Sequence, residues 1–284
     1  MTLANEFFSV ISDFFEYIKM DFALRALVAG LLLSVCTALL GVCLVPKRYA
    51  MIGDGLSHVG FGALAVASAL GAAPLAVALP VVIIASFILL KLKENGKIKG
   101  DSAIAMLSAG ALAVGVMIVS LTGSNTDLNG YMFGSILSVT KSDFIASVIL
   151  FPIIIVVFIL FYAQIFSFSY DERFARASGM NTGVYNALMS VLVAVTVVMG
   201  MRLMGTLLIS ALVIFPAISA MRIFKSFFAC VVASSVISVI SFLLGMFLSF
   251  AFSAPIGASI VLCNVFSFLI CSAVRLILRK KSRA

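Results

Sequence analysis

Ser226-Phe-Phe-Ala-Cys-Val-Val-Ala-Ser-Ser-Val-Ile-Ser-Val-Ile-Ser-Phe-Leu-Leu-Gly-Met-Phe-Leu-Ser-Phe-Ala-Phe-Ser-Ala-Pro-Ile-Gly257 is the stretch that decides the fold. It opens a tract, residues 226–274, without a single Asp, Glu, Lys or Arg. A helix crosses the hydrocarbon core of a bilayer with about 20 apolar residues, so this tract is long enough to cross twice. Its turn residues cluster at Ser253-Ala-Pro-Ile-Gly257, where the chain is expected to reverse.

The same pattern fills the chain. Uncharged tracts cover 26–46, 55–90, 102–126, 144–170, 184–201 and 203–221, and the second carries its own break at Gly71-Ala-Ala-Pro74. The predicted spans are 23–45, 52–71, 74–91, 102–122, 143–166, 184–201, 203–221, 226–252 and 255–278. The fold class is therefore all-α, a polytopic transmembrane helical bundle of about nine spans, with eight as the alternative count. A β-barrel is excluded because these tracts are apolar on every face, where barrel strands alternate. Composition agrees: of 284 residues 63% are hydrophobic and 11% charged, against roughly a quarter charged in soluble domains.

Basic residues gather on the cytoplasmic side of short loops. Here all of the 19 except Lys19, Arg25, Lys141 and Arg202 fall on alternate connections or at the C-terminus. With nine spans this puts the C-terminus in the cytoplasm. The net charge of +8 is accounted for by lipid headgroups and cytoplasmic partners, with no nucleic-acid role. The five cysteines all fall inside predicted spans without C-x-x-C spacing, so disulfides are not expected, and Cys263 reads as a packing residue before it reads as a soft metal ligand.

The chain divides into an extension, 1–22, and a transmembrane domain, 23–284. In the extension Phe7, Phe8, Val10, Ile11, Phe14, Phe15, Ile18 and Phe22 recur at helical spacing opposite Glu6, Asp13, Glu16 and Lys19. That pattern predicts an interfacial amphipathic helix; a short helix packed on the bundle fits it equally. Residues 128–140 are too short to cross and too apolar for an ordinary loop, which predicts a re-entrant or interfacial piece packed on protein. Asp171-Glu-Arg-Phe-Ala-Arg-Ala-Ser-Gly179 reads as a short capped helix whose Phe174 and Ala175 form a small apolar face able to dock in a partner's groove; a plain connector is the alternative. Arg202 interrupts 184–221, too long for one crossing, so a turn is expected beside it on the external side, where Arg202 is an external gate or a snorkelling anchor.

The chemistry concentrates in Met51-Ile-Gly-Asp-Gly-Leu-Ser-His-Val59. Asp54 and His58, the only histidine, are four residues apart and share a helix face. A charge in a span costs a few kcal/mol, which a divalent cation offsets, and imidazole with carboxylate suits zinc, manganese or ferrous iron. The other explanation of the same residues is an Asp54 helix cap with His58 in an interhelical hydrogen bond. Two ligands do not complete a site, whereas a two-fold dimer would bring two Asp and two His together. An intramembrane hydrolase is disfavoured: Ser57 adjoins His58 but points to another face, and no second carboxylate for an aspartyl mechanism falls inside a predicted span. No G-x-x-x-x-G-K-[ST] loop occurs, so the chain is not itself a P-loop ATPase.

Lys47-Arg-Tyr-Ala-Met-Ile-Gly-Asp-Gly-Leu-Ser-His58 resembles the basic-then-Gly-Asp-x-x-x-His signature of the ABC-3 family, the membrane permease subunits of bacterial zinc, manganese and iron ABC transporters. Phe133-Gly-Ser-Ile-Leu-Ser-Val-Thr140, Met204-Gly-Thr-Leu-Leu-Ile-Ser-Ala-Leu-Val-Ile-Phe-Pro-Ala217 and Pro255-Ile-Gly-Ala-Ser-Ile-Val-Leu-Cys263 match in order. Val59 departs from the Ala usual after the signature histidine. The resemblance implies a permease that pairs with a second copy, binds a cytoplasmic ABC ATPase dimer that hydrolyses ATP, and receives a divalent metal from an extracytoplasmic metal-binding protein; the imidazole of His58 makes zinc the first candidate. The permease holds no permanent cofactor. By the same resemblance Asp54 and His58 are translocation-path ligands, and the segment from Asp171 and Glu172 through Phe174 and Ala175 to Gly179 is the coupling helix.

Overall fold

The computed structural model describes residues 12–14, 16–47, 49–94, 100–122 and 140–281. These residues form helices joined by short turns, with no strand among them. In chain order the helices are α1 (Asp21–Leu44), α2 (Ile52–Ala69), α3 (Pro74–Glu94), α4 (Gly100–Thr122), α5 (Lys141–Leu160), α6 (Tyr162–Tyr170), α7 (Glu172–Ala177), α8 (Thr182–Met204), α9 (Thr206–Ile223), α10 (Phe227–Phe252) and α11 (Ile256–Lys281). The expected breaks at Gly71–Pro74 and Ser253–Gly257 are both present; Gly71 and Ser253 adopt left-handed backbone there.

Two boundaries differ from expectation. The turn foreseen at Arg202 falls three residues later, at Gly205, whose φ of 87° suits a residue without a Cβ; Arg202 stays in the last turn of α8. The span expected over 143–166 divides at Phe161 into α5 and α6. The re-entrant piece expected over 128–140 lies, apart from Thr140, outside the described residues, as do residues 1–11 of the extension. The described part of the extension is helical over 12–14 and 16–18 and packs on the bundle: Phe14 meets Phe247 and Phe250 at ring distances of 5.2 and 5.6 Å, and Tyr17 meets Phe250 at 4.8 Å.

Among the described residues seven helices are long and apolar enough to cross a membrane: α1, α4, α5, α8, α9, α10 and α11. α3 contributes a shorter apolar segment, Pro74–Leu89. α2 is absent from that set because Asp54, His58 and its glycines dilute the apolar content of its 18 residues. The helix that carries the candidate ligands thus looks least like a span.

α1 and α8 are central, each 72% buried over its apolar window, whereas α4 and α11, at 11% and 17%, form the perimeter. α1 packs on α5, α8, α9 and α10, and α2 on α3, α4, α8 and α9. Membrane helices associate closely where small residues face one another. On α2 and α4 this is done by Gly62 and Gly115: a Cβ on Gly62 would lie 2.6 Å from the Ala111 carbonyl, and one on Gly115 2.9 Å from the Gly62 Cα.

Of the described residues that connect α1 and α2, Tyr49 is buried and Lys47 largely so, while Pro46 and Met51 are exposed. Gly41, one turn from the end of α1, and Gly53, at the start of α2, both face Val213 of α9. α9 continues ten residues beyond Val213 to Ile223, about 15 Å. Lys47 and Tyr49 in this connection are accordingly 12% and 8% exposed, so Lys47 does not meet lipid headgroups as its loop position suggested.

Candidate metal site

α2 begins at Ile52 with Met51 in the cap position and no side-chain cap. Asp54 is the third residue of the helix, so the capping explanation of its carboxylate fails. Instead Oδ1 accepts a hydrogen bond from the Ser210 hydroxyl on α9 at 3.4 Å, and Oδ2 stands 3.8 Å from His58 Nε2, one turn further along. Both side chains keep some accessibility, 39% for Asp54 and 21% for His58. These contacts of the carboxylate's oxygens are thus both long, and both side chains stay partly accessible.

The Ser57 hydroxyl donates to the Asp54 backbone carbonyl at 2.7 Å, which ties it to its own helix and removes it as a nucleophile for His58. All five cysteines are buried free thiols; Cys36 donates to the Phe151 carbonyl from α1 to α5. Among the described residues no group of three or more His, Cys, Asp or Glu side chains gathers in one place. One chain therefore offers a cation two ligands of the usual types, with the Ser210 hydroxyl beside them.

The sequence did not point to Ser210 or to a buried carboxylate elsewhere in the bundle. Asp143, read as a residue at a span edge, is 3% exposed, and its Oδ2 receives Arg202 Nη2 at 3.0 Å and the Thr140 hydroxyl at 2.8 Å. The Asp143 backbone N–H donates to Thr140 Oγ1 at 3.2 Å. A signal for the helix start was present: Thr140-Lys-Ser-Asp143 ahead of an apolar run has capping-box spacing. Arg202, by contrast, gives no hint of its partner 59 residues away.

The short helix expected after Tyr170 is present as α7. Asp171 Oδ1 accepts from the backbone N–H groups of Arg173 and Phe174, each at 3.0 Å, and Gly179 closes the helix with φ 84°. Phe174 is 63% exposed, but Ala175 is fully buried, so the apolar face open to a partner is Phe174 without Ala175. Glu172 accepts charge from two sides, Arg176 at 3.5 Å and Lys47 at 3.8 Å.

The described residues thus form a helical membrane bundle with a partly accessible carboxylate–imidazole pair on α2. Comparison with known proteins makes the class definite: the ABC 3 transport family matches over residues 19–275, and the chain belongs to that family. It is 30% identical to the manganese import system permease protein ScaB of Streptococcus gordonii, over 94% of each chain. It is 28% identical to the high-affinity zinc uptake system membrane protein ZnuB of Haemophilus influenzae, over 86% of this chain and 94% of that one. Among solved structures, PsaBC from Streptococcus pneumoniae in complex with Fab is similar with a TM-score of 0.82 and 30% identity, covering 92% of this chain and 95% of that one. The protein is thus a membrane-embedded transport component.

Proposed function

We propose that the chain is the permease subunit of an ATP-binding-cassette importer that moves a divalent metal ion across the cytoplasmic membrane, with zinc as the first candidate cargo and manganese and iron next. The observation that carries this reading is the open Asp54–His58 pair, 3.8 Å apart, beside Ser210 inside the bundle. A carboxylate with only long contacts in a low-dielectric setting gains most from a cation, and an imidazole one turn away adds a borderline ligand suited to zinc. The relatives named for manganese import and zinc uptake support the cargo class and leave the choice of ion to solution measurement.

In this proposal nine helices cross, α2 and α3 joining the seven apolar ones, and the C-terminus is cytoplasmic. A second copy pairs by two-fold symmetry and completes the coordination shell with its own aspartate and histidine; the accessibility of both side chains leaves room for that. The ion is cargo, held loosely enough to leave. The Asp171–Gly179 segment, with Glu172 and exposed Phe174, docks on a cytoplasmic ATPase dimer that hydrolyses the ATP. An extracytoplasmic binding protein delivers the ion, and Arg202, held by Asp143, stands at the external side as an anchor in place of a gate.

The test is uptake of radioactive zinc and manganese into proteoliposomes holding the permease with its ATPase. Uptake that needs both ATP and the ATPase subunit is the expected result. Uptake by the permease alone, driven by an ion gradient, would replace the reading with a secondary transporter.

A further inference from the structure

Lys47 is a largely buried cation, its side chain 12% exposed, and two of its contacts lie on neighbouring helices. Its ammonium lies over the ring of Phe168 in α6 and 3.8 Å from Glu172 in α7. Removing an ammonium from water is costly unless charge and ring face compensate it, and here both come from adjoining helices. The other end of Lys47 is tied to α2. The Tyr49 N–H donates to the Leu44 carbonyl at 3.0 Å, the Ile52 N–H to the Tyr49 carbonyl at 3.1 Å, and the Gly55 N–H to the Met51 carbonyl at 3.1 Å. These bonds make the connection a braced turn leading from Lys47 into the turn that bears Asp54. Beside it lies a cavity of about 30 Å³ lined by Lys47, Ile52, Phe168 and Asn186 among others, so this end of the turn is not packed tight.

We propose that Lys47 is a positioning residue that couples α7 to the ionisable pair. A displacement of α7 drags Glu172, Glu172 carries Lys47, and the braced turn moves the first turn of α2, changing the spacing of Asp54 from Ser210 on α9. Loading and release of the cation at Asp54 are thereby tied to the state of whatever grips α7. The inference rests on the reading of α7 as the ATPase-docking helix.

The experiment uses the complete permease–ATPase complex in proteoliposomes and reads phosphate release and zinc or manganese accumulation in the same sample. Lys47→Met is expected to lower the number of ions imported per ATP hydrolysed by about tenfold, within the usual range of coupling between sites. Lys47→Arg, which keeps the charge and can stack on the same ring, should lose clearly less than Lys47→Met. Glu172→Gln, made on the other element, should fall as Lys47→Met does, and it carries the test if Lys47→Met fails to assemble. A wild-type ratio of ions to ATP in Lys47→Met or Glu172→Gln, whatever the yield of complex, overturns the inference. A wild-type complex that hydrolyses ATP without importing metal sinks the importer reading itself, and the coupling role with it.

Discussion

Two acid-containing pairs are set into this bundle, and they are built in opposite ways. Asp143 and Arg202 lie 3.0 Å apart, with the carboxylate 3% exposed and a threonine hydroxyl on the same oxygen. Asp54 and His58 lie 3.8 Å apart, remain partly accessible, and draw only a long 3.4 Å contact from Ser210. The first pair joins opposite charges through Oδ2 and fastens α5 to α8, with Asp143 Oδ1 left buried and without a hydrogen-bond partner. The second leaves a carboxylate short of partners, which is a condition for receiving a cation. A closed pair is structure; an open pair is capacity for a ligand.

The comparison breaks most visibly at the closed pair. Arg202→Met strands a buried carboxylate and should cost about 3–5 kcal/mol of stability, read as a lower unfolding temperature in detergent. Combining it with Asp143→Leu should recover most of the loss, because apolar residues of similar volume replace a buried ion pair at little cost. If the single variant melts like wild type, the pair is not the fastener described.

At the open pair the effects should fall on transport. Loss of an outer partner at a metal site costs about 10–100-fold, so loss of a ligand, as in Asp54→Asn, should reduce uptake by about 100-fold or more. Stability should change by less than about 1 kcal/mol, since no well-made hydrogen bond is removed. An unfolded Asp54→Asn protein would place this pair in the same class as Asp143–Arg202.

The seat of α2 comes next. Gly62→Ala forces α2 away from the Ala111 carbonyl of α4 and should cost about 1–3 kcal/mol, with a matching fall in uptake as Asp54 leaves its register with Ser210. The smallest effect is expected from Ser210→Ala, about tenfold or less in apparent metal affinity, because the hydroxyl is a long-range partner of the carboxylate.

Helix content was legible because the uncharged tracts and their two Gly/Pro breaks are local signals, and most helices among the described residues follow them. The proximity of Asp54 and His58 was legible for the same reason: a four-residue spacing is a property of one helix. What escaped was set by packing. Ser210 is one of many serines in apolar helices until α9 is laid against α2. Asp143 sits at a helix start, where acids are common, and only the approach of α8 buries it. Lys47 reads as a cytoplasmic anchor, yet α9 extends past the level at which α1 ends, and Lys47 is largely buried. The resemblance to metal permeases supplied the class of cargo, which ligand chemistry alone does not narrow beyond zinc, manganese and iron.

The most direct measurement is equilibrium binding of zinc and manganese to the purified permease–ATPase complex, comparing wild type with Asp54→Asn and His58→Ala. The account predicts saturable binding by wild type of at least one of these ions and a loss of about 100-fold in affinity in each variant, with the complex still folded. Binding by both variants equal to wild type would contradict it and move the site elsewhere in the bundle.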